Sequence, residues 1–486
     1  MNATDIVSKL WGYCDILRDE GRSYDEYLDE LTYILFFKMA HEVSKSGIHS
    51  DRDFDILIPE GYRWTDLESK KGIELLAHYK KSLLKLGESK SILIQKIFAN
   101  AGTAISKPIT LQNIITEIKR IDWFSEDRDA MGDAFEGLLE KSASEGKKGA
   151  GQYFTPRPLI NMMVELMKPQ IGEVIQDPAC GTGGFLIAAN NHLRDEQDFF
   201  DLSDSQKDFQ YKRAIYGMEF VPRAHRLGLM NMMLHGIEED VIALDDTLSP
   251  AGERLPKADL ILANPPFGSS KGGGKPSRDD FTFETSNKQL AFMQHIYRGL
   301  KPGGRAAVVI PDNVLFEDNM GRQIREDLMD KCDLHTILRL PTGIFYAQGV
   351  KTNVLFFTRG KTDKGNTKET WVYDLRTNMP SFGKRTPLTK KHFEEFVDAY
   401  GEDPYGKAKR KDEGEQGRFR KFTRAEIKKR NDNLDISWLR DENVTDQSDL
   451  PEPDVIATQI MGNLQTALTE MEALQSILDD ASGVKS

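Results

Sequence analysis

The chain reads as an α/β protein in three parts: a helical N-terminal domain, a doubly wound and mostly parallel sheet, and a C-terminal helical tail. Three observations carry that reading. Apolar residues recur every three or four positions from Met1 to about Lys141. Short apolar runs then alternate with helical stretches and end in polar or glycine-rich clusters. Heptad spacing returns near the C-terminus. The boundaries fall at 1–145, 146–440 with a core at 152–360, and 451–482.

In the first part, Ile6, Leu10, Tyr13 and Leu17 make one helical stripe, Leu31, Ile34, Leu35 and Met39 a second, and Met131, Phe135, Leu138 and Leu139 a third. These are core faces of a helical bundle. Ser50 to Asp66 carries Pro59 and Gly61 and reads as a loop. The small, polar run Ser142 to Gly151 marks a boundary. Directly after it stand Gln152, Tyr153, Phe154, Thr155, Pro156, Arg157 and Pro158, then Leu159, Ile160, Met163 and Leu166 at helical spacing. Thr155 suits a helix cap and Pro156 a first turn, and N–H groups there would attract a carboxylate.

Strands and helices then alternate. Val174 to Gln176 is a strand, and Asp177 to Phe185 a tight glycine turn opening the helix Leu186 to Leu193. Ala214 to Glu219 is a second strand, followed by a helix from Pro222 to Leu234. Val241 to Leu244 ends in Asp245, Asp246, Thr247 and Leu248. Leu260 to Ala263 is the fourth strand, with Ala306 to Ile310, Leu334 to Leu340 and Asn353 to Thr358 completing the series. In such a sheet ligands bind at the carboxyl ends of the strands, where all the polar clusters lie.

The fourth strand stops at Asn264, Pro265, Pro266 and Phe267. The two prolines fix φ and make a rigid corner. The Asn264 side-chain carbonyl and the Pro265 backbone carbonyl could together accept both hydrogens of a planar –NH2 group. Two acceptors on such an amine favour a pyramidal nitrogen and restore its lone pair, which is stabilisation aimed at a transition state. Phe267 would stack on the ring that bears the amine.

Asp177 with Gly181, Gly183 and Gly184 departs from the spacing of a dinucleotide fingerprint, so a pyrophosphate is not required. Glu219, ending the next strand, can take both hydroxyls of a ribose, and Asp246 stands where it could accept from an adenine amine. A solvated strand end remains open for Asp246 by itself. Gly268 to Asp280, with Lys271, Lys275 and Arg278, reads as a mobile, locally basic loop, or simply as surface.

The formal charge of −12 argues against a protein that grips nucleic acid alone, so any DNA substrate is held mostly by something else. No apolar run is long enough to span a membrane, and no secretory leader is evident, which points to the cytoplasm. Cys14, Cys180 and Cys332 are scattered, without disulfide or zinc spacing, and no metal is expected. Past Arg359 the signal fades: Gly360 to Lys368 and Tyr405 to Arg420 read as linkers, and Thr423 to Glu426 as a capping box. Ile460, Leu464, Ala467, Met471, Leu474 and Leu478 form a heptad stripe suited to a partner helix.

The stretch Asp177 to Phe185 and the corner Asn264 to Phe267 resemble those of amino-methyltransferases acting on adenine in DNA, with Gln152 to Arg157 first as in the γ arrangement. With Leu340 to Phe345 and the helical N-terminal domain, Met1 to Gly360 resembles the modification (methylase) subunit of a type I restriction-modification system. The resemblance implies an adenine-specific, site-specific DNA methyltransferase using S-adenosyl-L-methionine. Gln152, Tyr153, Phe154, Thr155, Pro156, Arg157, Asp177, Thr182, Gly183 and Gly184 would surround the amino-acid moiety of that cofactor, Glu219 its ribose and Asp246 its adenine. Asn264, Pro265, Pro266 and Phe267 would hold an adenine flipped from double-stranded DNA, with Phe345 on its other face. Sequence reading would come from a specificity subunit, shared by two modification subunits, and cleavage from a restriction subunit. A protein glutamine-amide methyltransferase is the alternative enzyme, since a planar amide offers the same –NH2, and a non-catalytic assembly module is the other rival.

Overall fold

The computed structural model describes residues 3–18, 24–46, 58–121, 130–145, 154–196, 201–237, 240–268, 275–345, 350–383, 386–440 and, with gaps at 459, 463 and 470, 457–471. The described chain divides into two compact units. One comprises Met1–Phe154, Gly181–Gly183 and Val221–Ile242, the other Thr155–Cys180, Gly184–Phe220 and Ala243–Ser486.

The first unit is helical, as its periodicity requires. The helix Tyr24–Ser46 is buried almost all round from Glu30 to His41, which makes it the centre of the bundle. Phe36 and Phe37 meet Phe98 and Tyr79 there, with Phe36 edge-on to Phe98 at 4.9 Å between ring centroids. The adjacent Asp29 binds both Arg223 and Arg226 of the helix Pro222–Leu234, at 3.1 and 2.9 Å. The expected loop from Ser50 to Asp66 ends early, because Trp64–Ser69 is helical. Trp64 and Leu67 are buried, and Asp66 accepts from the Arg63 N–H at 2.9 Å. Likewise the helix Ala130–Glu145 runs through Ser142, which is itself buried, before the glycine-rich stretch begins.

The second unit is built on one nine-stranded sheet. Its strands are β1 (Ile175–Asp177), β2 (Ile215–Glu219), β3 (Ile242–Leu244), β4 (Ala258–Ala263), β5 (Leu300–Pro311), β6 (Cys332–Arg339), β7 (Thr352–Arg359), β8 (Glu369–Asp374) and β9 (Phe419–Thr423). The order is β3-β2-β1-β4-β5-β7-β6-β8-β9. β2, β1, β4 and β5 pair in parallel, and β6 pairs in parallel with β8. β7 is wedged antiparallel between β5 and β6, and β9 closes the far edge antiparallel to β8. The parallel strands are buried on both faces, which is why they read as unbroken apolar runs.

Two of these strands lie beyond those the sequence announced: β8 follows the connector Gly360 to Lys368, and β9 takes in Phe419 and Arg420, the last two residues of the second expected connector. β8 carries Thr370, Trp371, Val372 and Tyr373, a β-branched and aromatic run whose signal the surrounding charge obscures. β9 buries Phe419 and leaves Lys421 and Thr423 exposed, with Arg420 and Phe422 half-buried, as an edge strand does. The capping box at Thr423 is present, its hydroxyl accepting from the Glu426 N–H. The described part of the tail, 457–471, is helical, and Ile460, Met461, Leu464, Leu468 and Met471 are exposed on it; Leu474 and Leu478 lie outside the described residues. No described helix is long and apolar enough to cross a membrane.

Candidate active site

β4 lies between β1 and β5 and is buried from Leu260 through Ala263. It therefore delivers Asn264 to the carboxyl edge of the sheet from a rigid base. There the Asn264 Nδ2 donates to Thr155 Oγ1 at 3.0 Å. The other end of the amide is different: Oδ1 is closed off from solvent and has no hydrogen-bond partner among the described residues. Leaving a buried acceptor unmet costs about 1–3 kcal/mol, a cost that an incoming donor at this strand end would recover.

Thr155 does not cap the helix Arg157–Met167 as its position in the sequence implied. The N-cap is Pro156, one residue later, and the threonine hydroxyl faces Asn264 instead. Pro156 and Pro158 carry no N–H, and those of Leu159 and Ile160 are bonded to the Pro156 carbonyl. The turn thus offers at most one backbone donor to an anion, that of Arg157, and the expected carboxylate cradle shrinks to that residue. The Arg157 guanidinium donates to the Gly184 carbonyl at 3.3 Å.

Phe267 is half-buried and meets Phe345 edge-on, with centroids 6.0 Å apart and planes at 79°. The two rings are thus not parallel walls for a base, and Phe345, itself buried, braces the edge of Phe267. Its loop is anchored on both sides. Arg376 donates to the carbonyls of Leu340 at 2.9 Å and Thr352 at 2.8 Å. Gly343, at φ +81°, lies so close to the Phe382 carbonyl that a Cβ would meet it at 2.0 Å. Only glycine fits there.

Asp177 and Glu219 end β1 and β2 and are both buried. Burial, together with the nearby Glu219 charge, pushes the Asp177 carboxyl up to about 8, against the opposing hydrogen bond from the Ala179 N–H at 3.0 Å. Asp246 spends Oδ1 on the Leu248 N–H at 2.9 Å, forming an Asx turn after β3. The next residue, Thr247, donates to the Pro178 carbonyl at 2.6 Å and fixes that turn to the end of β1. Cys180 is buried and free, and burial pushes its thiol up, which suits packing and not nucleophilic work.

Thr182, Gly183 and Phe154 group with the helical unit. Gly183 adopts φ +82°, Asn231 Nδ2 donates to the Thr182 carbonyl at 2.9 Å, and a Cβ on Gly228 would lie 2.9 Å from the Gly181 oxygen. The helix Pro222–Leu234 therefore seats this part of the turn by backbone contact. Gln152 and Tyr153 lie outside the described residues.

Arg278 departs from the expected basic, mobile loop. It is buried, paired with Asp280 at 2.6 and 2.7 Å, bonded to the Thr247 carbonyl at 2.8 Å and stacked on Phe281. It is an anchor between the strand-end turns and cannot also reach a phosphate. Its role is invisible in sequence because the partners are scattered. Residues 269–274 lie outside the described residues.

Comparison with known proteins gives the family. The family described as N-6 DNA Methylase matches residues 126–447, and that described as HsdM N-terminal domain matches 6–118. The chain belongs to the N-6 DNA methylases. It is 50% identical to the EcoKI type I restriction enzyme methylase subunit of Escherichia coli K12 over 98% of this chain and 95% of that one, and as similar to the StySPI methylase subunit of Salmonella potsdam. The crystal structure of the EcoKI M protein superposes with a TM-score of 0.58 at 46% identity, covering 98% of this chain and 97% of that one. A modification subunit from Vibrio vulnificus YJ016 gives 0.72 at 26% identity over 87% and 93%. This N-6 DNA methylase is thus an adenine-specific DNA methyltransferase, the modification subunit of a type I restriction-modification system, with S-adenosyl-L-methionine as methyl donor. The protein glutamine-amide alternative has no support in these matches. Asp177 and Glu219 are buried acids at neighbouring strand ends, and donors or a positive charge from a bound group would favour their charged forms.

Proposed function

We propose that Asn264, Pro265, Pro266 and Phe267 hold an adenine flipped out of double-stranded DNA and activate its N6 amine. The buried Oδ1 of Asn264, lacking a partner while its Nδ2 is tied to Thr155, is the observation that carries this reading. Oδ1 accepts one amine hydrogen and the Pro265 carbonyl the other, so the nitrogen turns pyramidal and regains its lone pair. Phe267 stacks on the base, returning about 1–3 kcal/mol toward the cost of flipping. S-adenosyl-L-methionine, when bound, supplies an electrophilic methyl group on a sulfonium. Glu219 would accept from its ribose hydroxyls, Asp246 would face its adenine, and Asp177, with Thr155 to Arg157 and Gly184, would flank its amino-acid end. Transfer of the methyl group to N6 would leave S-adenosyl-L-homocysteine as the thioether, and the surplus amine proton would pass to solvent.

The acidic charge and the exposed apolar face of 457–471 favour an assembly in which a specificity subunit reads the sequence and holds most of the DNA. Two modification subunits per specificity subunit, with a separate restriction subunit for cleavage, complete that assembly in the cytoplasm, and the segment 451–482 makes the contact. The helical domain at 1–145 and the catalytic domain at 146–440 are its two working parts.

The test is methyl transfer to target DNA by the chain assembled with its specificity subunit. Asn264→Ala should abolish transfer while S-adenosyl-L-methionine still binds in calorimetry. Retained transfer would overturn the role of the corner.

A further inference from the structure

We infer that Thr155 is a positioning residue for the catalytic amide: its hydroxyl holds the Nδ2 end of Asn264 and leaves the Oδ1 end to the substrate. The inference rests on the adenine-activating role proposed for Asn264. An asparagine amide is nearly symmetric in shape, and its two ends do opposite things. With the oxygen turned inward it accepts an amine hydrogen. With the nitrogen turned inward it opposes that amine, donor against donor, and the activation is lost.

The backbone of the corner does not choose between these states. Pro265 and Pro266 carry no N–H and fix the chain, and the Pro265 carbonyl is reserved in this reading for the substrate amine. Thr155 does choose. Its Oγ1 accepts from Nδ2 at 3.0 Å, and the opposite end, Oδ1, is then buried with no partner among the described residues. The threonine hydroxyl is available for this because Pro156 is the N-cap of the helix Arg157–Met167, where no side-chain cap bond forms. Thr155 is thus released from the capping task its sequence position implies. The two residues are 109 positions apart in the chain, so the contact exists only in the folded catalytic unit.

Valine and serine separate the hydroxyl from the shape. Thr155→Val keeps the branched volume and removes the acceptor, whereas Thr155→Ser keeps the acceptor and removes the methyl. In the assembled complex at saturating cofactor and DNA, Thr155→Val should lower kcat roughly tenfold, the rate equivalent of one hydrogen bond. Thr155→Ser should stay within about twofold of the parent. Because Thr155 also stands in the stretch proposed to flank S-adenosyl-L-methionine, cofactor affinity is measured by calorimetry in both variants, and the loss of kcat at saturating cofactor in Thr155→Val should exceed any change in affinity. An unchanged kcat in Thr155→Val would overturn the inference, as would equal losses in the two variants. A fall in cofactor affinity that accounts for the whole effect would overturn it too, making Thr155 a cofactor contact only. Asn264→Ala in the same assay keeps the two failures apart. If that variant still transfers methyl groups, the reading of the corner fails. If it is inactive while Thr155→Val is not impaired, only the positioning role fails.

Discussion

Asp177 and Glu219 end neighbouring parallel strands, buried together, and the Asp177 carboxyl is pushed up to about 8 by burial and by the Glu219 charge. Near neutral pH Asp177 therefore carries its proton in the free chain. Because the folded value lies above the ordinary 3.8, the stability tied to Asp177 is fully present below that value and is lost as the pH rises toward about 8. Asp177→Asn should flatten the decline in melting temperature of the free chain across that window. A parallel decline in both proteins would show that another group is responsible.

The same pair predicts proton release on cofactor binding. A cationic amino group beside Asp177 would favour its charged form, so at pH 7 binding of S-adenosyl-L-methionine should release about one proton. Calorimetry in buffers of different ionisation enthalpy measures this directly. Asp177→Asn should abolish the release, and an unchanged count would move the amino group away from Asp177.

The half of the sheet that carries this pair was legible because buried parallel strands are unbroken apolar runs, and proline and glycine mark where they stop. Val174 to Gln176 and Leu260 to Ala263 follow that rule, as the structure bears out in β1 and β4. β8 and β9 do not: β8 is buried but short, preceded by Lys364 and Lys368 and opened by Glu369, and β9 is an edge strand that mixes charge into its pattern. Within the site, Asn264 and Phe267 stood out as residue types in an unusual order. The tasks of Thr155, Arg278 and Arg376 could not be read, because each is defined by a partner far along the chain.

Phe267 and Phe345 should prove unequal. The edge-on contact leaves the face of Phe267 as the stacking surface and makes Phe345 its brace. Phe267→Ala should lose about 1–3 kcal/mol of base binding, read as a higher KM for DNA or a lower 2-aminopurine signal at the target position. Phe345→Ala should lose only the aromatic contact, about 0.5–1.5 kcal/mol. Equal losses would mean that DNA rearranges the rings into a sandwich.

The loop that carries Phe345 depends on Arg376, which holds Asp312 through two bonds at 2.8 and 2.9 Å. Burial alone would raise Asp312, but the hydrogen bonds and charge of Arg376 hold it below the usual carboxylate range. A carboxylate depressed in this way contributes stability above its ordinary 3.8 and loses it as the pH falls through the lower folded value. Arg376→Met strands the acid and should cost about 3–5 kcal/mol in urea melts at neutral pH. Asp312→Asn with Arg376→Met should recover part of that loss, and a purely additive pair would show that the two do not act together.

The tail makes the last prediction. Leu464 and Met471 are 62% and 70% exposed on the described helix, too open to support a core, and they fall in one heptad stripe with Ile460. Leu464→Asp with Met471→Asp should leave the melting temperature of the free chain unchanged, because neither side chain is buried in it. The same change should prevent co-elution with a specificity subunit in gel filtration, because a partner helix would have to bury two charges with no counterion. Co-elution at parental affinity would place the assembly contact elsewhere on the chain.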